Sequence, residues 1–236
     1  MSTQVTVNRF SAMVAPTELD AFLNDVWPYQ SHFSQAVEPP MQELMTLPGL
    51  QSIEGLVAIP RRAKCRIHYT HEKGRNPETN VPHDEMVRAF NASQATIYVQ
   101  QLQEPTIRAW CQDVDAALKI TPGTARVNAF TSPPGRGLGW HWDDHEIFII
   151  QVRGTKRWYL APEDWPRGKG LTAEGDDLIL THENGEQARR DIGECRIFDL
   201  TPGSVLFVPS DVWHTTETKE ESLHLVMNVG RNVPMN

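Results

Sequence analysis

Cysteine is scarce in this chain, and what there is cannot form a framework. Cys65, Cys111 and Cys195 are the only three, they lie far apart in 236 residues, and no CxxC occurs. A disulfide scaffold or a thiolate zinc site is therefore not expected; reduced thiols in the cytoplasm are. No apolar run approaches the ~18 residues a membrane-spanning helix needs, so no such helix is expected. The opening MSTQVTVNRF lacks the charged-then-apolar pattern of a signal peptide. Positive charge is also short: 22 Lys and Arg against 30 Asp and Glu give a net charge of −8. With no basic stripe interleaved with aromatics, neither nucleic acid nor an anionic membrane is an expected partner. A local basic patch stays compatible with this balance.

What the chain does have is enough apolar residue to fold. Hydrophobic residues make up 39% and charged ones 22%, which suits a sizeable core. In the front half, Leu19, Phe22, Leu23 and Val26 fall at helical spacing after Thr17, a plausible N-cap, and Pro28 ends that helix. Further helices are predicted over 39–47, 83–91 and 104–119, the last opened by Glu104-Pro105. Segment 52–70 alternates loosely around 56–59 and 65–69, and together with 96–99 it predicts strands. The stretch HEKGRNPETNVP, 71–82, predicts a polar loop. After Pro122-Gly123 the character changes. Segments 125–131, 145–152, 156–160, 177–181, 194–200, 204–208 and 222–229 read as strands broken by Gly, Pro and Asp, with loops over 162–176 and 182–193. The expected fold is mainly β with flanking helices, a jelly roll of the double-stranded β-helix or cupin type. It forms one domain over 1–236, with a helix-and-strand lead-in to 120 and a β core from 121.

Chemistry concentrates in GWHWDDHEIFIIQVRGTKRWYL, 139–160. On a strand, residues i and i+2 share a face at ~6–7 Å, so His141 and Asp143 can reach one ion. A third ligand is needed. His145 would stand ~13 Å from His141 along a regular strand and gives no facial geometry. His214 in GSVLFVPSDVWH is the better choice, since a jelly roll sets distant strand ends side by side. Two histidines and a carboxylate on one face leave coordination positions open, the arrangement of non-haem Fe(II) enzymes. Alone, His214 would read as a solvent histidine near a turn. Strand 145–152 turns at Arg153-Gly154-Thr155 into 156–160, a predicted hairpin. Lys156, Trp158 and Leu160 share a face of the return strand. If that face is internal, Lys156 needs an anion, because an unpaired buried ammonium costs several kcal/mol. Otherwise Lys156 and Arg157 are turn charges in water.

The stretch FTSPPGRGLGWHWDDHEIFIIQVRGTKRWYL, 130–160, together with GSVLFVPSDVWHTTE, 203–217, and SLHLVMN, 222–228, resembles the JmjC/cupin-type Fe(II)- and 2-oxoglutarate-dependent oxygenases, nearest their ribosomal-oxygenase branch. HxD alone is nonspecific; the ordered set Asn128, Pro133-Pro134, HxD, GxKxW and PxxxxH is far more so. The resemblance implies that His141, Asp143 and His214 ligate Fe(II) and that Lys156 pairs with the distal carboxylate of 2-oxoglutarate. It further implies that Asn128 and Asn228 line the cosubstrate or substrate pocket and that O2 is the co-reactant. The alternative for both asparagines is an ordinary strand-end residue. Phe130 stands where the family often has a tyrosine, and Tyr98, Thr131 and Ser132 are candidates to complete the carboxylate's shell. The family's later dimerisation and winged-helix regions have no counterpart before Asn236. A small molecule, amino acid or peptide is therefore the expected substrate, reached past loops 71–82 and 162–193, and a homodimer is compatible. Three alternatives stay open: a protein side-chain hydroxylase or demethylase of the same chemistry, a cupin metalloenzyme without 2-oxoglutarate, and a non-catalytic metal-binding module.

Overall fold

The computed structural model describes residues 9–35, 39–63, 65–68, 78–79, 81–174 and 177–230. The front half carries α1 (Arg9–Val14), α2 (Leu19–Ala21), a π-helical turn (Phe22–Val26), β1 (His32–Gln35) and α3 (Pro39–Met45). A 3-10 turn (Pro48–Leu50), α4 (Ile53–Ala58), β2 (Arg66–His68), β3 (Glu78–Thr79), α5 (His83–Asn91), β4 (Thr96–Val99) and α6 (Pro105–Ala117) complete it. Then come β5 (Arg126–Ser132), β6 (Glu146–Arg153), β7 (Lys156–Leu160), β8 (Leu171–Glu174), β9 (Asp177–Thr181) and β10 (Gln187–Arg190). The last four strands are β11 (Arg196–Leu200), β12 (Ser204–Val208), β13 (His214–Thr218) and β14 (Ser222–Val229). No helix among the described residues is long and apolar enough to cross a membrane.

Eight strands form one sheet in the order β1-β12-β6-β14-β5-β4-β2-β3, and it faces a three-stranded sheet, β11-β7-β13. The long sheet is covered on both sides, which is why β6, β12 and β14 are buried at almost every position. Alternate residues divide between the two cores. Phe148, Ile150, Val205, Phe207, Leu225 and Met227 pack against the helices. Ile147, Ile149, Leu206, Val208 and Val226 pack against Trp158 and Leu160 of the small sheet. On the helical side, Phe10 meets Phe148 edge-on at 5.5 Å and Phe22 meets Phe207 at 5.6 Å. The predicted jelly-roll layering of two facing sheets with flanking helices is present.

Several local expectations give way. Residues 53–58 form a helix, because Ser52 caps it through Gly55 N (3.0 Å) and Ile53, Leu56 and Val57 fall on one buried face. Glu18, not Thr17, occupies the first cap position, and the helix widens to a π-turn at Phe22. Polar stretches 162–176 and 182–193 supply β8 and β10, which flank β9 in a third small sheet. The predicted loop 71–82 falls largely outside the described residues. Segment 153–155 does not close a hairpin either: β6 lies in the long sheet and β7 pairs with β11 and β13. The turn instead carries the chain from one sheet to the other. Gly154 allows it with φ +60°, and a Cβ there would sit 1.9 Å from the Glu221 carbonyl oxygen. Gly154→Ala should therefore lower unfolding free energy by at least about 2 kcal/mol, from backbone strain plus the clash. Urea denaturation measures this, and an unchanged midpoint would contradict it.

Candidate metal centre and its cavity

Residues 139–145 do not form a regular strand. His141 instead makes an isolated antiparallel bridge with His214 at the head of β13. The two residues exchange backbone bonds, His141 N to His214 O at 3.0 Å and His214 N to His141 O at 2.8 Å. His214 thus opens a strand of its own, rather than trailing from β12. The β12–β13 connection is tied to the same spot, since Asp211 N donates to Asp143 O (2.7 Å). Trp213 Nε1 donates to Gly168 O (2.8 Å) and fixes the residue before His214.

One ligand atom from each of His141, Asp143 and His214 lies within 4.8 Å of the others. His214 Nε2 stands 3.8 Å from Asp143 Oδ2. Both rings are aimed by the chain itself. His141 Nδ1 lies 2.7 Å from Gly139 O and His214 Nδ1 lies 2.9 Å from Val212 O. A carbonyl only accepts, so each Nδ1 carries a proton and Nε2 is the ring atom left to ligate. Burial, with His141 alongside, pushes the His214 imidazole well below the usual range and keeps it neutral. Two imidazole nitrogens and a carboxylate are the donor set of a divalent first-row metal, and three protein ligands leave positions free. His145 stays out of this set, its Nδ1 bonded to the exposed Asp144 carboxylate at 2.8 Å.

These residues open onto a narrow cavity between the two sheets, which Lys156 and Trp158 also line. Lys156 enters because β7 turns that face inward. It is 1% exposed, and its ammonium donates to Ser132 Oγ at 3.1 Å. Ser132 is in turn shared with Thr96 Oγ1 at 3.0 Å. No carboxylate pairs with Lys156 among the described residues, and burial pushes its ammonium down to about 7. Two polar ring atoms of the cavity lining, Trp158 Nε1 and His224 Nδ1, are buried without a hydrogen-bond partner among the described residues. A small dicarboxylate suits such a lining, because its oxygens accept from ammonium, hydroxyl and ring N–H alike.

Asn128 and Asn228 both line the cavity and its wider outer mouth. Asn128 Oδ1 accepts from Gln101 N (2.9 Å), so its amide nitrogen is the end left for a ligand. Phe130 is stacked between Tyr98 (4.1 Å) and His224 (5.3 Å), a three-ring wall running across β4, β5 and β14. Thr131 Oγ1 is occupied by Ser222 O at 3.2 Å. Trp142 rests against the core of the third sheet and does not line the cavity.

Sequence reasoning missed two histidines. His224 is buried in the cavity wall. His68 sits beside Tyr98, where burial and the nearby Arg66 and His141 charges push it down to about 4. The alternation in SLHLVMN carried a signal for the first. Leu223, Leu225 and Met227 face the helices, so His224 must face the cavity.

A family profile for the JmjC domain matches residues 99–234, and the chain belongs to that family. Among curated relatives, the chain is 23% identical to the Bacillus subtilis (strain 168) protein YxbC, over 96% of this chain and 72% of that one. It is 26% identical to ribosomal oxygenase 2 of Rattus norvegicus, over 94% of this chain and 47% of that one. Among solved structures, Escherichia coli YcfD, a ribosomal oxygenase in complex with cobalt and 2-oxoglutarate, superposes with a TM-score of 0.59. Its identity is 17%, over 92% of this chain and 53% of that one. The chain thus spans about half the length of the ribosomal oxygenases it matches.

Lys156 gives the cavity a pH signature. Free, its ammonium titrates at about 7; bound to a carboxylate it must be charged. Above that pH an anion binds only with uptake of a proton, so affinity falls as pH rises. Calorimetry of succinate binding should show about a tenfold loss per pH unit above ~7, and none in Lys156→Met. Affinity that rises with pH over that range would be inconsistent with an ammonium anchor.

Proposed function

We propose that this JmjC-domain protein is an Fe(II)- and 2-oxoglutarate-dependent oxygenase that hydroxylates an unactivated C–H bond of an amino acid, a peptide or another small molecule. The observation that carries this is the convergence of two Nε2 atoms and the Asp143 carboxylate in the same cavity as a buried ammonium that has no carboxylate partner among the described residues.

His141, Asp143 and His214 would hold the iron, and Lys156 would hold the distal carboxylate of 2-oxoglutarate, with Ser132 and His224 beside it. With dioxygen and 2-oxoglutarate, an Fe(II) centre converts C–H to C–OH while the cosubstrate leaves as succinate and carbon dioxide. The chain's own contribution is position and dryness. Ile147, Trp158 and Val226 make an apolar lining that keeps water from the reacting atoms. The amide nitrogen of Asn128 and the side chain of Asn228 orient whatever enters from the mouth. Asp143 as a ligand would take the place a halide needs, which favours hydroxylation; a target carbon bound to nitrogen would turn it into demethylation. A protein side chain is the second reading, favoured by the name ribosomal oxygenase carried by relatives that align over nearly this whole chain.

The test is succinate release with Fe(II), ascorbate and 2-oxoglutarate over a panel of amino acids and peptides, read by mass for the gain of one oxygen atom. His214→Ala and Asp143→Ala should abolish turnover. Lys156→Ala should weaken 2-oxoglutarate binding by roughly a hundredfold, the range for removing one partner of a buried charge pair. Turnover that survives His214→Ala, or 2-oxoglutarate affinity unchanged in Lys156→Ala, would sink the proposal.

A further inference from the structure

Half of the described arginines of this acidic chain, seven of fourteen, are engaged by carboxylates. Arg9, Arg153, Arg157, Arg189 and Arg196 each hold one at 3.0 Å or less. Arg62, Arg108 and Arg126 belong to the other half and are gathered in one place. All three are exposed, and no carboxylate pairs with any of them among the described residues. Yet they come from separate places, past the end of α4, in α6 and at the start of β5, to line one open cleft of about 400 Å³.

The cleft is built rather than incidental. Segment 101–103 staples its walls: Arg62 N donates to Gln101 O (3.2 Å), Gln103 N to Pro60 O (2.7 Å) and Leu102 N to Val127 O (2.9 Å). The one carboxylate in the lining, Asp115, is 2% exposed. Its oxygens are taken by Gly123 N (2.6 Å) and Ala125 N (2.8 Å), so it shapes the 123–125 turn, and its single charge against three guanidiniums leaves the lining net positive. Three guanidiniums left to repel one another, in a protein of net charge −8, make a local positive field that an anion would satisfy.

The cleft also joins the metal cavity. Gln101, Gly123 and Arg126 line both the cleft and the mouth, and Tyr98, Asn128 and Asn228 line both the mouth and the cavity. Arg126 and Asn128 are two apart on β5, so they share a face at ~6–7 Å. We infer that the substrate carries a carboxylate remote from the oxidised carbon, seated on Arg126, with further acidic groups reaching Arg108 and Arg62. The ligand class is an acidic peptide segment or a free acidic amino acid. The cleft lining holds no aromatic ring for base stacking, and the net charge repels a polyphosphate chain. This substrate class rests on the oxygenase function proposed above, but the binding surface can be tested without turnover.

The experiment is fluorescence anisotropy on the full chain with a fluorescein-labelled Glu-rich peptide and a Lys-rich peptide of the same length. The Glu-rich peptide should bind, more weakly as salt is raised, and the Lys-rich one should not. Each of Arg62→Gln, Arg108→Gln and Arg126→Gln should cost about tenfold, since a charge-assisted bond is worth roughly that factor. Arg108→Lys with Arg126→Lys should fall between, which separates lost charge from lost fold. Competition by N-acetylglutamate would assign a free acid, and its failure against a bound peptide would assign the longer chain; either supports carboxylate recognition. Lys156→Ala should lose 2-oxoglutarate and keep the peptide, so the two proposals fail separately. Equal affinity for both peptides, or full affinity in the triple Gln variant, would overturn the inference.

Discussion

The centre depends on one pair of backbone hydrogen bonds. His141 and His214 are 73 positions apart, and each gives its N–H to the other's carbonyl, at 3.0 and 2.8 Å. The chain before β6 and the chain at the head of β13 are thereby fixed at contact, and the two rings meet with centroids 4.2 Å apart. Each ring is then turned by its own Nδ1 bond to a carbonyl two residues back. Orientation and tautomer are therefore set by main chain, before any metal arrives. Asp143 is held to the same place by Asp211 N, which donates to its carbonyl three residues before His214.

Opposite this pair stands an ammonium that the fold has no use for. Lys156 is fully enclosed because the chain crosses between sheets at Gly154 and sends Lys156, Trp158 and Leu160 inward together. Its only described bond is to a neutral hydroxyl. A protein that needed only stability would do better with an apolar side chain there. The charge, in a cavity where Trp158 Nε1 and His224 Nδ1 also lack partners among the described residues, makes sense when an anion is the missing component. Further out the polarity changes kind: the mouth is lined by amides, and the cleft beyond it by guanidiniums free of carboxylates. Site and approach thus share one electrostatic logic in a chain whose overall charge is negative.

Much of the fold was legible in the amino-acid order, for identifiable reasons. Strands β6, β12 and β14 announce themselves as apolar runs because both faces are covered, and α6 through Glu104-Pro105 and its spaced Ile107, Trp110 and Val114. What misled was local resemblance between periods. Ile53 to Ala58 is short and rich in β-formers, so the Ser52 cap decided for helix. The β6–β7 turn looks like a hairpin in sequence; only the crowding of Gly154 against Glu221 shows that the strands part. The polar strands β8 and β10 carry little burial pattern, since each gives only one side chain, Leu171 and Ala188, to the small cluster around Leu178. In the site, His141 and Asp143 were reachable from their spacing alone, although the regular strand assumed for them does not form. His224 was reachable from the alternation of SLHLVMN; the three arginines were not, because they come together only in the folded chain.

The most direct test is crystallographic. Crystals of the protein soaked in Mn(II) and 2-oxoglutarate, measured at the manganese edge, should give one strong anomalous peak bonded to His141 Nε2, His214 Nε2 and an Asp143 carboxylate oxygen. Difference density for the cosubstrate should end at Lys156 Nζ. A peak at any other cluster, or none between these three side chains in ordered crystals, would contradict the account.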